Sequence, residues 1–577
     1  VKLEPTYQKL RGGYYTPKPI ADFLARWAIR APDAEVLEPS CGDGSLVEAS
    51  IEALLTRGAR KEAVAQLIHG VEIDPDEAAR TVERMKALGI APREDTIHVG
   101  DFFAHCKNQL FGQRFMSLVT AEARKFDVII GNPPFIRYQN FPEASRNIAC
   151  EIMQRVGLHP TRLLNAWLPF LIAGSLLLKE YGRLAMVIPA ELFQVNYAAE
   201  TRQFLSNFYD QITIVTFKKL VFDDIQQEVV LLLCEKNHHQ IRGIRTFELE
   251  DADELANHNH SEFAESDLKP MDHSREKWTH YFLHAEEISL LRSLKSHPGI
   301  TLSGRVINVD VGVVTGENTF FILNEKQVRE RHLEPFVRKI VSRSGHLKGA
   351  LFLEEDWMQN TAAQVPTYLL MAPNVPCEAL PDPLKAYVVK GEEASCHKGY
   401  KCSIRRPWYV VPAVWTPEAF MLRQIHGYPK LILNQAEATC TDTIHRVRFC
   451  GPLDHRQVVA AFMNVLTFAF AEVTGRGYGG GVLTFEPGEA ERLPLPLTGA
   501  AELDLTEFDR LLRAKGIETV LAKTDEVLLK CGLGLGNEEV KMLHTIWTKL
   551  RDRRIFRKHK SNKQSRGIID SQIVSIY

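Results

Sequence analysis

Five consecutive residues, Gly131-Asn132-Pro133-Pro134-Phe135, are the stretch of this sequence best suited to chemistry. Asn132 offers a side-chain carbonyl, Pro133 offers a backbone carbonyl from a residue with no N–H, and Phe135 offers an aromatic face. Two acceptors beside a π surface suit an amino group on a flat ring. The apolar run Phe126-Asp127-Val128-Ile129-Ile130 reads as a strand. The prolines stop it, because proline removes ladder donors and fixes φ. The pentapeptide therefore belongs to a rigid loop at a strand's carboxyl end, where open α/β sheets keep their ligands. A proline-rich turn closing a buried strand would need the same residues, so the rest of the chain must decide.

Three earlier segments repeat the pattern of strand followed by functional loop. Glu35 to Leu46 reads as a short strand, a loop containing Cys41-Gly42-Asp43-Gly44, and a helix. The glycine pair lets backbone approach a ligand closely. It is not GxGxxG and no phosphate-binding lysine follows, so a dinucleotide or triphosphate fits poorly. The strand Ile68–Asp74 carries Glu72, placed where a carboxylate accepts from ribose hydroxyls. The strand Thr96–Phe103 ends in Asp101, an acceptor for an adenine amino group, and Phe102, a ring to pack on it. Singly, each acid reads as readily as a helix cap. In chain order, however, glycine loop, acid, acid and Asn-Pro-Pro-Phe end strands one to four, and that order describes one crevice. Ahead of them, Leu10 to Pro17 forms a glycine turn and a Thr-Pro step. Ile20, Phe23, Leu24, Trp27 and Ala28 then follow at helical spacing, with a cap expected near Thr16.

This set resembles the S-adenosylmethionine-dependent amino methyltransferases, in particular adenine-N6 DNA methyltransferases of the TaqI type, with the gamma order of motifs and a C-terminal target-recognition domain. The resemblance rests on Tyr15-Thr16-Pro17, Glu38-Pro39-Ser40-Cys41, the two acids and Asn132-Pro133-Pro134-Phe135, and it covers about residues 10 to 497. It implies that Thr16, Glu38 and the backbone of Cys41, Gly42 and Gly44 hold the methionine end of S-adenosylmethionine. By the same resemblance Glu72 takes the ribose, and Asp101 and Phe102 take the adenine. Asn132, Pro133 and Phe135 would be catalytic, with Phe135 stacking on a flipped-out adenine and Phe222 on its other face. The chemistry agrees: the exocyclic nitrogen is a poor nucleophile, and two acceptors can orient its N–H bonds so that its lone pair meets a methyl donor. The target base must leave the duplex to reach them.

The expected fold is α/β: a seven-stranded doubly wound, Rossmann-like sheet, a C-terminal mixed, β-rich DNA-recognition domain, and a helical tail. The remaining strands fall at Gly182–Pro189, Ile212–Phe217 and Val229–Cys234, the last two forming an antiparallel hairpin. The expected divisions are 1–245 for cofactor and catalysis, 246–299 as a polar, histidine-containing connector, 300–498 for target recognition, and 499–577 as helices with a basic end. Strands are expected at Val309–Phe321, Tyr400–Tyr409 and Leu431–Asn434, with a glycine-dense stretch at Gly475–Val482. Lys401, Arg405 and Arg406, beside Trp408 and Tyr409, form a candidate phosphate-contacting patch, and Tyr478 is a candidate groove contact.

Composition sets the limits. A chain of 577 residues has the length of roughly three to four domains. Ten cysteines without a CxxC pair imply a reducing compartment, and Cys396 and Cys402 lack partners for zinc, so no metal is expected. No signal-peptide pattern is present, and the apolar stretch Ala166–Leu178 is too short to span a bilayer, so a cytoplasmic protein with no membrane partner is expected. A net charge of -2 gives no global pull toward nucleic acid. Double-stranded DNA is nonetheless the expected partner, with a cognate restriction endonuclease beside it and a monomer favoured. Glu539-Val540-Lys541 resembles half of a nuclease motif without its upstream acid. Rival readings share the pocket: RNA guanine-N2 or protein-glutamine methyltransferases, cytosine-N4 transfer, and a non-catalytic DNA-binding relative. The long C-terminal region argues against the first two, and the intact Glu72, Asp101 and Asn132 argue against the last.

Overall fold

In a computed structural model, residues 15–111, 124–219, 221, 228–236, 241–258, 268–274, 276–478 and 480–556 are described. They fall into two compact units, the first comprising the described residues up to His284 together with Phe556, the second spanning Ala285–Ile555. The first unit is built on an eight-stranded sheet in the order β3-β2-β1-β4-β5-β7-β6-β8. Its strands are β1 (Val36–Glu38), β2 (Ile68–Glu72), β3 (Ile97–Val99), β4 (Phe126–Gly131), β5 (Leu178–Pro189), β6 (Gln211–Phe217), β7 (Val229–Glu235) and β8 (Gly243–Leu249). Strands β1 to β5 run parallel, and β7 lies antiparallel between β5 and β6. One strand more than expected is present. β8 pairs parallel with β6 from Gln211↔Gly243 to Phe217↔Leu249, so residues read as the start of a connector continue the sheet. It covers an edge that would otherwise present bare N–H and C=O groups.

Helices cover both faces, so the parallel strands read as unbroken apolar runs. On one face α1 (Lys18–Ala28) and α2 (Ser45–Thr56) bury Ile20, Phe23, Leu24, Trp27 and Ile51 against Val36, Val128 and Ile130. After α3 (Lys61–Leu67), α4 (Pro75–Ala87), α5 (Phe102–Phe111) and α6 (Glu143–Arg155), helix α7 (Trp167–Leu176) packs on the opposite face. A Cβ on its Gly174 would stand 3.1 Å from Ile129 and 3.2 Å from Met186. The apolar stretch seen in the sequence is therefore a core helix. No single helix among the described residues is long and apolar enough to cross a membrane. α1 begins at Lys18 with Pro17 at its cap position and no side-chain cap, so the Thr16 hydroxyl is used elsewhere.

The second unit contains a five-stranded sheet of Ile307–Val311, Ile444–Phe449, Ala419–Leu422, Leu431–Asn434 and Leu351–Phe352, together with sheets of four, three and two strands. Three expectations change here. Of the stretch Val309–Phe321 only Val309–Val311 is strand, and Asn318–Phe321 is a short helix. Tyr400–Ser403 is a single helical turn, not a strand, because it buries Cys402 against the Thr315-Gly316 loop while Tyr400, Lys401 and Ile404 stay exposed. The helices after residue 499 belong to this unit through residue 555. Asn537–Ile555 buries Leu543, Ile546, Trp547 and Leu550, with Trp547 against Phe468 of helix Val465–Thr474. Glu539 accepts from the Gly536 N–H at this helix's start, which is a capping role. The basic end beyond Phe556 lies outside the described residues.

Arg554 and Glu472 form a buried pair with N–O distances of 2.6 and 3.0 Å, and the guanidinium also donates to the carbonyls of His426 and Gly481. Glu472→Ala leaves that guanidinium buried without its carboxylate, at a cost of about 3–5 kcal/mol. The calorimetric transition of the second unit should fall accordingly, and Arg554→Met in the same chain should recover part of the loss.

Candidate functional site

The strand order reverses between β1 and β4, and the loops leaving their carboxyl ends touch. A Cβ on Gly131, the last residue of β4, would stand 3.3 Å from Pro39 Cδ, so the Glu38-Pro39 turn lies against the entrance to Asn132. In the β1 loop Gly42 has φ +50° and Gly44 φ +82°. Space is open where a Gly42 Cβ would be, leaving backbone bare toward the crevice, whereas a Gly44 Cβ would meet Thr81 of α4 at 2.9 Å. The Thr81 hydroxyl donates to the Gly42 carbonyl at 2.9 Å. Arg84 of α4 donates to the Asp43 carbonyl at 2.9 Å and to its carboxylate at 2.8 Å. α4 thus clamps the outer side of the loop and leaves its inner side to the crevice.

Two carboxylates stand behind this loop. Glu38 is 3 % exposed, and its Oε2 is buried without a hydrogen-bond partner. Burial, reinforced by Asp43 and Glu72, pushes its pKa well up, against one stabilising donor, the Val47 N–H. Glu72 accepts from the Gly42 N–H at 2.8 Å and the Asp74 N–H at 2.9 Å, so it braces the glycine loop from β2; burial still raises its pKa. Burial, with these two acids nearby, keeps the Cys41 thiol protonated far above its ordinary range. A buried carboxylate oxygen without a donor is the feature a bound ammonium would complete.

On the β4 side, the Asn132 amide donates to the Thr16 hydroxyl at 3.2 Å. Thr16 is 7 % exposed and immediately precedes Pro17 and α1. Pro133 is buried, and Phe135 is half-buried, its inner edge packed on the core shared by α1, α2 and β4. After Phe135 the chain is tied down by the Ala166 N–H, which donates to the Ile136 carbonyl at 2.8 Å. Asp101 stands at the start of α5, where its carboxylate accepts from the Ala104 N–H at 2.8 Å. Phe102 is placed otherwise than expected. Its ring is 3 % exposed and stacks on Phe170 of α7 at 5.2 Å, a core position closed to a ligand ring. Exposed apolar surface at these strand ends is offered instead by Ile73, 56 % exposed directly after Glu72, and by Val99 at the end of β3, 52 % exposed. For Ile73 the sequence signal was an apolar residue continuing the β2 run one place beyond the acid.

Other candidates are dispersed. Phe222 lies outside the described residues. In the second unit Lys401 and Arg406 are exposed, but Arg405 donates to the Val314 and Thr315 carbonyls at 2.7 and 2.6 Å and so holds its own loop together. Tyr478 ends the strand Arg476–Tyr478, paired antiparallel with Val482–Thr484. Among the described residues no cluster of side chains could hold a metal ion.

Comparison with known proteins covers both units. The N-6 DNA Methylase family profile matches residues 2–290. The profile of the C-terminal domain of Type II methyltransferase M.Eco57I matches residues 275–529. The chain is 23% identical over 517 residues to Type II methyltransferase M.AccI of Acinetobacter calcoaceticus, covering 84% of this chain and 85% of that one. It is 24% identical over 502 residues to Type II methyltransferase M.XamI of Xanthomonas campestris pv. amaranthicola, with the same coverage of 84% and 85%. The Type IIL restriction-modification enzyme MmeI, solved in complex with DNA, shares the fold at a TM-score of 0.55 and 11% identity, over 93% of this chain and 75% of that one.

Gly44→Ala tests the loop. The new methyl meets Thr81 backbone and side chain at 2.9–3.0 Å in a left-handed conformation. The melting temperature of the first unit should fall by an amount matching about 1–3 kcal/mol, whereas Ala at Gly488, which has open space around it and no left-handed φ, should change little.

Proposed function

The chain belongs to the N-6 DNA Methylase family, and from that premise we propose how its crevice methylates the exocyclic N6 of an adenine in DNA within a restriction-modification system. The observation that carries the reading is the abutment of the two loops. An acid-and-glycine loop and an Asn-Pro-Pro-Phe loop occupy adjoining strand ends, with Pro39 against Gly131. A donor cradle and an acceptor pair then share one crevice.

The donor implied by the family is S-adenosylmethionine, and the residues fit it. Glu38 Oε2, buried without a partner, would receive its amino group, and the bare backbone at Gly42 would lie along its methionine end, with Gly44 turning the loop behind it. Glu72 keeps acceptor capacity for ribose hydroxyls beyond its two backbone donors. Ile73 offers the apolar face for the purine, and Asp101 an acceptor for its amino group. When bound, S-adenosylmethionine supplies an electrophilic methyl group on a sulfonium.

The chain's own contribution is alignment. Asn132 Oδ1 and the Pro133 carbonyl accept the two N–H bonds of the target amine, drawing its lone pair out of the ring and toward the donor. Phe135, half-buried against the core, stacks on the flipped base. No side chain need remove a proton first, because the nitrogen becomes acidic only once it carries the methyl group. In the second unit, read as the target-recognition domain, Lys401 and Arg406 would meet phosphates and Tyr478 the groove. A cognate endonuclease for the same site, and action in the cytoplasm, complete the reading.

Asn132→Ala should abolish methyl transfer while cofactor binding, read by calorimetry, stays within about threefold. Sequencing that maps modified adenines in DNA from cells expressing the chain, against the Asn132→Ala chain, should reveal one recurrent site; unmodified adenines would sink the reading. A pH dependence follows from Glu38. Burial raises its pKa, and a protonated carboxyl cannot pair with an ammonium as the carboxylate does. Cofactor affinity should therefore weaken as pH falls through that raised pKa, and Glu38→Gln should bind weakly with the dependence lost.

A further inference from the structure

The contact between Thr16 and Asn132 has a chemical direction. A carboxamide is an acceptor at one end and a donor at the other, and turning it by half a revolution exchanges them. The Asn132 nitrogen donates to the Thr16 hydroxyl oxygen at 3.2 Å, which directs Oδ1 away from Thr16. In the reversed orientation the amide nitrogen would face the target's own amino group, donor against donor, and Thr16 would have to donate instead. Thr16 holds the accepting oxygen in a fixed place. Its side chain is buried and branched at Cβ, so χ1 is stiff. Pro17 fixes the chain just after it, and α1 is anchored through Ile20, Phe23, Leu24 and Trp27. On the other side Tyr15 donates its hydroxyl to Glu77 of α4 at 2.9 Å. The hydroxyl is therefore delivered by a braced segment distant in sequence from the loop it touches.

We propose that Thr16 is a positioning residue for the target base, setting the orientation of the Asn132 carboxamide so that its oxygen, not its nitrogen, meets the exocyclic amine. This rests on the reading of Asn132 as an acceptor for that amine. It assigns Thr16 a role on the substrate side of the crevice, distinct from holding the donor.

Thr16→Val keeps the branched stem and removes the oxygen; Thr16→Ser keeps the oxygen. With a duplex carrying the site identified by sequencing, Thr16→Val should lower kcat by about tenfold, the scale of one lost hydrogen bond to a buried group. It should also reduce the fluorescence gain of 2-aminopurine placed next to the target adenine, which brightens when that adenine leaves the stack. The dissociation constant for S-adenosylhomocysteine, measured by calorimetry, should stay within about threefold. Thr16→Ser should restore kcat and fluorescence. In an Asn132→Ala background Thr16→Val should cause no further loss of base fluorescence, since a residue acting through another is silent once that other is gone. Weakened S-adenosylhomocysteine binding with kcat unchanged at saturation would overturn the proposal, as would a Thr16→Ser variant no better than Thr16→Val. Full methylation by Asn132→Ala would instead remove the acceptor reading on which it rests.

Discussion

Everything in the first unit follows from one constraint, the reversal of strand order between β1 and β4. The chain leaves β1 toward β2 on one side and leaves β4 toward β5 on the other, so the two departing loops diverge and a crevice opens above neighbouring strands. Contact between Pro39 and Gly131 fixes the distance between the loops. Sheet geometry, not any single side chain, therefore decides that the acid-and-glycine loop and the Asn-Pro-Pro-Phe loop lie together.

The crevice is electrostatically one-sided. Glu38 and Glu72 are both buried with raised pKa values, and Asp43 lies close by, held by Arg84 on the outer side of the loop. Burying like charges is costly without a compensating cation. Glu38 stands out because one of its oxygens is buried without a partner, whereas each oxygen of Glu72 already accepts from a backbone N–H. A ligand carrying an ammonium and a sulfonium completes such a site better than a neutral one. The acceptor side is different in kind: its oxygens belong to an amide side chain and a backbone carbonyl, which stay neutral and owe their effect to orientation. This is why so much structure converges on Asn132, from Thr16 on one side to the Ile136–Ala166 tie on the other.

Much of this was legible in the residues. Two prolines after an apolar run mark a strand end whatever surrounds them, and two glycines beside an acid mark a loop for close approach. Four such ends in order imply a parallel sheet with its loops on one edge. The failures are equally physical. Phe102 follows Asp101 exactly where a ring contact was expected, yet α7 offers Phe170, and an aromatic residue at the first turn of a helix goes to the core when a stacking partner is there. Tyr400–Tyr409 has aromatic and apolar residues enough for a strand, yet its first residues close into a helical turn that buries Cys402. Arg405 resembles its neighbours in charge and differs in use, because two carbonyls lie within its reach.

By itself the sequence determined the order of strand ends, the kinds of group at each and hence the chemistry available, since these depend on local stiffness and residue type. Only the tertiary structure decided which groups meet. Thr16 and Asn132 stand 116 residues apart and no local pattern joins them; Glu38 is an ordinary acid until burial removes its water; β8 reads as a connector until the bare edge of β6 lies beside it. Each of these depends on what is excluded or brought near once the chain has folded, and proximity across the sheet is not written in the spacing of residues along it.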